Sequence, residues 1–179
     1  MKILKSGIAF ILALTMLLLV SCGETATPDG RPKRDDELTA YGIHFFIPEG
    51  FTYSKTTIAE HYYTDGDATC YITQYDAEQL EEMEVDPDIT VLNYVKMFMA
   101  WNGIPMNSYT YDEARNVGTV EVVSDFGAGA ETGMAAEYFR FQIMRNSAFL
   151  YVATASCPNG AQEAYKATFD EWFDYIYIE

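Results

Sequence analysis

Positive charge is scarce in this chain. Its 179 residues hold 11 Lys and Arg against 27 Asp and Glu, a formal net charge of −16. Phosphate backbones and anionic lipid headgroups repel such a chain, which argues against nucleic acid as a partner. Cysteine is scarce too, and three residues are too few for a disulfide-built scaffold. Two His leave few general bases. The signatures of several enzyme classes are missing: no G-x-S-x-G elbow, no P-loop, no H-E-x-x-H and no dinucleotide fingerprint. No internal repeat or low-complexity tract is present. What is abundant is apolar and aromatic material, at 49% and 15%, with 14 Tyr. That is too much for a disordered chain, and the length fits one domain with a short appendage.

The charge is unevenly spread. Residues 1–21 hold Lys2 and Lys5 and no acid, and a largely apolar run from Ile8 to Val20 precedes Ser21 and Cys22. A basic start, a short apolar core and a small residue at the end read as a secretory signal peptide. The run is short for a spanning helix, which needs roughly 20 apolar residues. Leu19-Val20-Ser21-Cys22 resembles the lipobox of bacterial lipoproteins. The resemblance implies cleavage between Ser21 and Cys22, a diacylglyceryl group on the Cys22 thiol, and attachment to the extracytoplasmic face of a cell membrane. Residues 22–37 have two Pro, two Gly, mixed charges and no large apolar side chain, so they read as a flexible stalk.

One folded domain is expected over residues 38–179. It holds 6 basic and 22 acidic residues, so the whole net charge of −16 belongs to it. Residues 41–47 are strand-like, with a turn at Pro48-Glu49-Gly50 and a short continuation at residues 51–53. Residues 57–63 and 68–75 flank Thr64-Asp65-Gly66-Asp67, a strong hairpin signal. Residues 76–84 suggest a short acidic helical turn. Asp86-Pro87-Asp88 offers a start for a helix carrying Val91, Leu92, Val95, Phe98 and Met99 and ending near Asn102-Gly103. A second hairpin is expected from residues 106–111 and 117–126, with Val120, Val122 and Phe126 on one face. Residues 127–133, GAGAETG, form a loop. Residues 134–144 form a long strand with Phe139, Phe141 and Ile143 on one face and Arg140 and Gln142 on the other. Residues 149–156 are apolar on both faces, as in a central strand. Ala161, Tyr165, Thr168, Phe169, Trp172, Phe173 and Ile176 share one stripe of a final helix begun by Pro158 and Asn159. Hairpins with segregated helices indicate an α+β fold with an antiparallel β-sheet flanked by helices. The pattern leaves open whether both helices share one sheet face or take one each.

The start Tyr41-Gly-Ile-His-Phe-Phe-Ile-Pro-Glu-Gly-Phe51, the mid-chain helix from about Thr90, the stretch Phe149-Leu-Tyr-Val-Ala-Thr-Ala-Ser-Cys157 and the close Tyr165-x-x-x-Phe169-x-x-x-Phe173 together resemble the PsbP-like superfamily. That superfamily includes photosystem extrinsic subunits, a Ran-GTPase-binding import factor and envelope lipoproteins of the DcrB type. The resemblance implies an α/β/α sandwich and mostly binding roles. It carries no site motif, so it implies no functional residue.

Several residues invite chemistry. Cys70 and Cys157 remain once Cys22 is lipidated. A bridge between them would close an 88-residue loop, worth about 4–5 kcal/mol by chain entropy; the alternative is two separate buried thiols. Thr154-Ala-Ser-Cys157 faintly resembles the Cys motif of sortases, which pair the thiol with an upstream His and a later Arg. His44 or His61 could supply the first, but Lys166 is the only basic residue after Cys157. His61, Asp65 and Asp67, and the run Asp76, Glu78, Glu81, Glu82, Glu84, Asp86 and Asp88, invite a hard cation. Neither has the EF-hand pattern, and turn chemistry and a solvated acidic face explain them better. Tyr41, Tyr53, Tyr62, Tyr63, Tyr71, Tyr75, Tyr109, Tyr111 and Tyr138 read mostly as half-buried strand residues. A groove lined by them would suit a protein or glycan. The sequence therefore points to a lipid-anchored, non-enzymatic binding or accessory protein with a protein or cell-wall partner. It suggests no catalytic residues, metal or cofactor. The rival readings are a secreted hydrolase or transpeptidase using Cys157 or a carboxylate pair, and a structural or assembly component of the envelope.

Overall fold

A computed structural model describes residues 33–124 and 136–179. Ser21, Cys22, Phe126, Met134, the loop at residues 127–133 and most of the expected stalk lie outside the described residues. Residues Asp36–Glu179 form a compact unit. Its strands are β1 (Leu38–Ala40), β2 (Ile43–Phe45), β3 (Thr52–Tyr53), β4 (His61–Thr64), β5 (Thr69–Tyr75), β6 (Tyr109–Asp112), β7 (Val117–Ser124), β8 (Glu137–Arg145), β9 (Leu150–Pro158) and β10 (Tyr177–Ile178). The helices are α1 (Ala77–Glu82), α2 (Val91–Trp101) and α3 (Gln162–Tyr175).

Seven strands form one sheet in the order β3-β4-β5-β9-β8-β7-β6, and β1-β2-β10 form a second. Every pairing is antiparallel. The fold is α+β. Strand β9 lies at the centre of the large sheet, and its residues 150–157 are all buried, as their two-sided apolarity requires.

Alternation along the strands sorts the core into two clusters, one on each face. Phe141, Ile143, Leu150 and Val152 meet Val91, Tyr94, Val95 and Met99 of α2. Cys70, Ile72, Met144, Ala153 and Ala155 meet Phe169, Trp172 and Phe173 of α3. The two long helices α2 and α3 thus take opposite faces, and Leu80 of α1 joins the α2 side. The small sheet joins the α3 side through Ile43, Phe45 and Phe46, and Trp172 Nε1–H donates to the Phe46 carbonyl at 2.9 Å.

Three local expectations are corrected. The strand read over residues 41–47 is interrupted at its start: Tyr41 and Gly42 have φ of 53° and 82° and turn β1 into β2. Two left-handed residues make a tight hairpin turn, usually signalled by Asn-Gly rather than Tyr-Gly. Helix α2 starts from Thr90, whose Oγ1 accepts the Asn93 N–H at 3.3 Å, while Asp86 Oδ1 accepts the Asp88 N–H at 2.9 Å in a turn of its own. Helix α3 is preceded by Ala161 with no side-chain cap, and Pro158 ends β9. The short acidic helix α1 has a full capping box: Asp76 Oδ1 accepts the Gln79 N–H and Gln79 Oε1 accepts the Asp76 N–H, both at 2.9 Å.

Candidate functional site

The large sheet has a gap beside β5. Strand β4 pairs with β5 only from His61↔Ile72 to Thr64↔Thr69. On its other side β5 stays paired with β9 as far as Tyr75↔Leu150. Residues 73–75 therefore have a strand partner on one side only. The chain that would have extended β4 runs instead as a loop over residues 54–60. Between this loop and β5 lies a cavity of ≈ 510 Å³, lined by Tyr53, Ile58, Glu60, Gln74, Tyr75 and Gln79 among others. That volume is in the usual range for ligand sites, about 300–1,000 Å³.

The hydrogen-bond phase of the hairpin shows which backbone groups face the gap. The Asp65 N–H donates to the Ala68 carbonyl at 3.3 Å. Antiparallel pairing alternates from there, so the even-numbered β5 residues point N–H and C=O toward β4. Gln74 is next after Ile72, and no backbone group among the described residues meets it on that side. At the rim, Tyr53 and Ile58 are each 59% exposed. Tyr53 stands edge-on to Tyr63, with ring centroids 6.1 Å apart. Tyr41 is also exposed and Tyr63 is buried, while the other six tyrosines singled out in the sequence are half-buried.

The cysteines lie together on the α3 face without bonding. Both are free thiols and both are buried. Cys70 sits opposite Ala155, so Cys157 is its diagonal neighbour across the β5–β9 ladder. Diagonal neighbours lie about 7–8 Å apart, and Cα atoms farther apart than ~7 Å cannot be bridged without backbone movement. Burial pushes the Cys70 thiol well up. Burial and then the Glu137 charge push the Cys157 thiol up. Neither His stands where a nucleophile would need one. His61 lies opposite Ile72, and Ala153 follows on the next strand, four residues and ~13 Å along β9 from Cys157. His44 is held elsewhere, with Nδ1 2.8 Å from Glu37 Oε1, Nε2 3.0 Å from Glu179 Oε1 and its ring stacked on Tyr177 at 4.3 Å.

Three of the acidic residues, Asp65, Asp76 and Asp86, accept local backbone N–H groups. Asp65 Oδ1 accepts the N–H groups of Asp67 and Ala68 at 3.0 and 2.8 Å, and Oδ2 accepts the Tyr165 hydroxyl at 2.9 Å. Burial raises this carboxyl, but those hydrogen bonds outweigh burial and hold it below its ordinary value. Among the described residues no group of three or more His, Cys, Asp or Glu side chains is placed to hold a metal ion.

A second cavity, of ≈ 200 Å³, is lined by Glu121, Tyr138, Arg140, Lys166 and Asp170 among others. Arg140 bonds Asp170 at 2.5 Å, lies 3.5 Å from Glu121 and covers the Phe173 ring at 4.7 Å. Lys166 bonds Asp170 at 2.7 Å. Burial and the Glu121 charge push Tyr138 up to about 12. The cations here are neutralised by their own neighbours, which leaves little charge for a ligand. The sequence reading found neither this network nor the Glu37–His44 cluster, because their members are remote in the chain; the gap was equally hidden, since it depends on where β4 stops.

No family model matches the chain, and no curated protein matches it by sequence. Among solved structures it is similar to cyanobacterial PsbP (CyanoP) from Synechocystis sp. PCC 6803. That likeness has 12% identity, covers 80% of this chain and 91% of the other, and gives a TM-score of 0.51. A point mutant of the protein Mog1 is also similar, at 12% identity over 82% of this chain and 96% of the other, with a TM-score of 0.47. The CyanoP likeness shows a PsbP-like fold, and at this identity it shows the fold alone.

Proposed function

We propose that the chain is a bacterial lipoprotein, anchored by lipid on Cys22 at the extracytoplasmic face of a membrane, and that its domain is a non-enzymatic binding or accessory module. The observation that carries the reading is Leu19-Val20-Ser21-Cys22, placed directly after a basic start and a short apolar run. Cleavage before Cys22 leaves residues 22–37 as the link to the domain. Diacylation plus any further acyl chain gives firm attachment, since each buried CH₂ contributes roughly 0.8 kcal/mol.

The binding role rests on what the domain offers. Its larger open cavity is walled by two tyrosines, threonines, glutamines and bare sheet edge, and its volume is one that suits a ligand. Nucleophilic chemistry at Cys157 is disfavoured by a buried thiol, an upward-shifted pKa and the distance of both His from it. Of the carboxylates lining the smaller cavity, Glu121 and Asp170 are both paired with Arg140.

Metabolic labelling with an alkyne palmitate analogue tests the anchor. The native chain is expected to carry label and to sediment with membranes. Cys22→Ala is expected to lose the label, and unchanged labelling of that variant sinks the reading.

A further inference from the structure

We propose that the gap beside β5 is a strand-addition site, and that its occupant is an extended peptide segment of a basic protein. This inference deepens the binding-module reading and rests on it. Four observations converge. First, β5 outruns β4, so residues 73–75 are paired on the β9 side alone. Second, the pairing phase aims the Gln74 N–H and C=O into the gap. One peptide residue laid antiparallel there can donate its N–H to the Gln74 carbonyl and accept the Gln74 N–H. Third, the space is present: ≈ 510 Å³ separates the edge from the loop of residues 54–60. Fourth, the edge lacks side-chain guards. Thr73, Gln74 and Tyr75 include no Lys and no Pro, the residues that natural proteins place on edges to prevent pairing.

The rim selects the occupant. Glu60 lines the gap, and Glu78, Glu81 and Glu82 lie on α1, the helix that supplies Gln79 to it. Lys55 is the only basic residue in the lining. The domain as a whole carries 22 acidic residues against 6 basic. An extended segment with Lys or Arg at alternating positions places its charges on one side. Its apolar residues then meet Ile58 and Tyr53, both largely exposed. Main-chain pairing supplies affinity, and alternate side chains supply selectivity.

The test uses the full chain in detergent micelles and a fluorescein-labelled hexapeptide, Thr-Lys-Val-Lys-Val-Thr, read by fluorescence anisotropy. Saturable binding is expected, weakening as salt is raised. The same peptide N-methylated at its central residues cannot donate to Gln74, and a loss of roughly tenfold or more is expected. Gln74→Pro removes the outward N–H while leaving the β9-facing bonds of residues 73 and 75, and a similar loss is expected. Equal binding by the N-methylated peptide overturns the proposal whether or not the Pro variant folds. Undiminished binding to a folded Gln74→Pro chain also overturns it, and points to the opposite sheet edge at β6. So does the absence of binding at ~1 mM peptide, far above any useful affinity. Palmitate labelling of the same preparation shows separately whether the anchor stands.

Discussion

Glu37 accepts hydrogen bonds from Tyr175 at 2.5 Å and Tyr177 at 3.1 Å, and its other oxygen lies 2.8 Å from His44 Nδ1. Burial raises its pKa, but the hydrogen bonds from Tyr175, His44 and Tyr177 outweigh burial and hold it below the ordinary glutamate value. A carboxylate lowered in the folded state stabilises fully above its unfolded pKa. That stabilisation is lost as pH falls through the folded value. Melts between pH 7 and pH 3 should therefore fall on the acid side. Glu37→Gln should lose about 1.5–3 kcal/mol at pH 7 and show a shallower acid limb; an unchanged limb would sink the assignment. The sequence reading put Glu37 at the end of the stalk, because its partners lie 138 and 140 residues away. Cys70 and Cys157 make the second residue-scale case. The ladder sets them diagonally, so mass measurement without reductant should find two free thiols in residues 38–179. Iodoacetamide should label them only slowly until the chain is unfolded, because burial disfavours both thiolates.

Helix α2 meets its sheet face at Gly118. A Cβ built there would lie 2.4 Å from Val95 Cγ2, closer than atoms approach. Gly118→Ala should cost about 1–3 kcal/mol by overpacking. Val95→Ala alone should also destabilise, by opening a cavity. Combining the two should recover part of the loss, a coupling that denaturant melts of the four proteins would measure. Additive losses would mean that the helix shifts away instead. The α2 stripe was legible from spacing, as were the α3 stripe, the Asp65-Gly66 hairpin and the two-sided apolarity of β9. The β1–β2 turn was not. Gly42 has a φ of 82°, and an added Cβ would meet Asn146 Nδ2 at 3.2 Å, but Tyr41 before it gives no turn signal. Strand β10 was missed as well, since two residues carry no period.

At the scale of the whole molecule, charge is the dominant feature. The domain's 22 acidic residues repel one another, and only 6 basic ones offset them. Raising NaCl from about 0.01 M to 0.15 M shortens the screening length from roughly 30 to 8 Å. It should raise the melting temperature by a few degrees; a fall would mean that the ion pairs of Arg140 and Lys166 outweigh the repulsion. Composition and periodicity settled the α+β class, because helix stripes and strand alternation are local repeats that each element needs in order to bury one face. They also set the acidic surface, which depends on counting alone. Tertiary structure decided the rest. It put α2 and α3 on opposite sheet faces, set the cysteines on a diagonal, joined Glu37 to the far end of the chain and stopped the β4 pairing short of the end of β5. Those outcomes depend on register and on contacts between residues remote in sequence, and no local pattern encodes either.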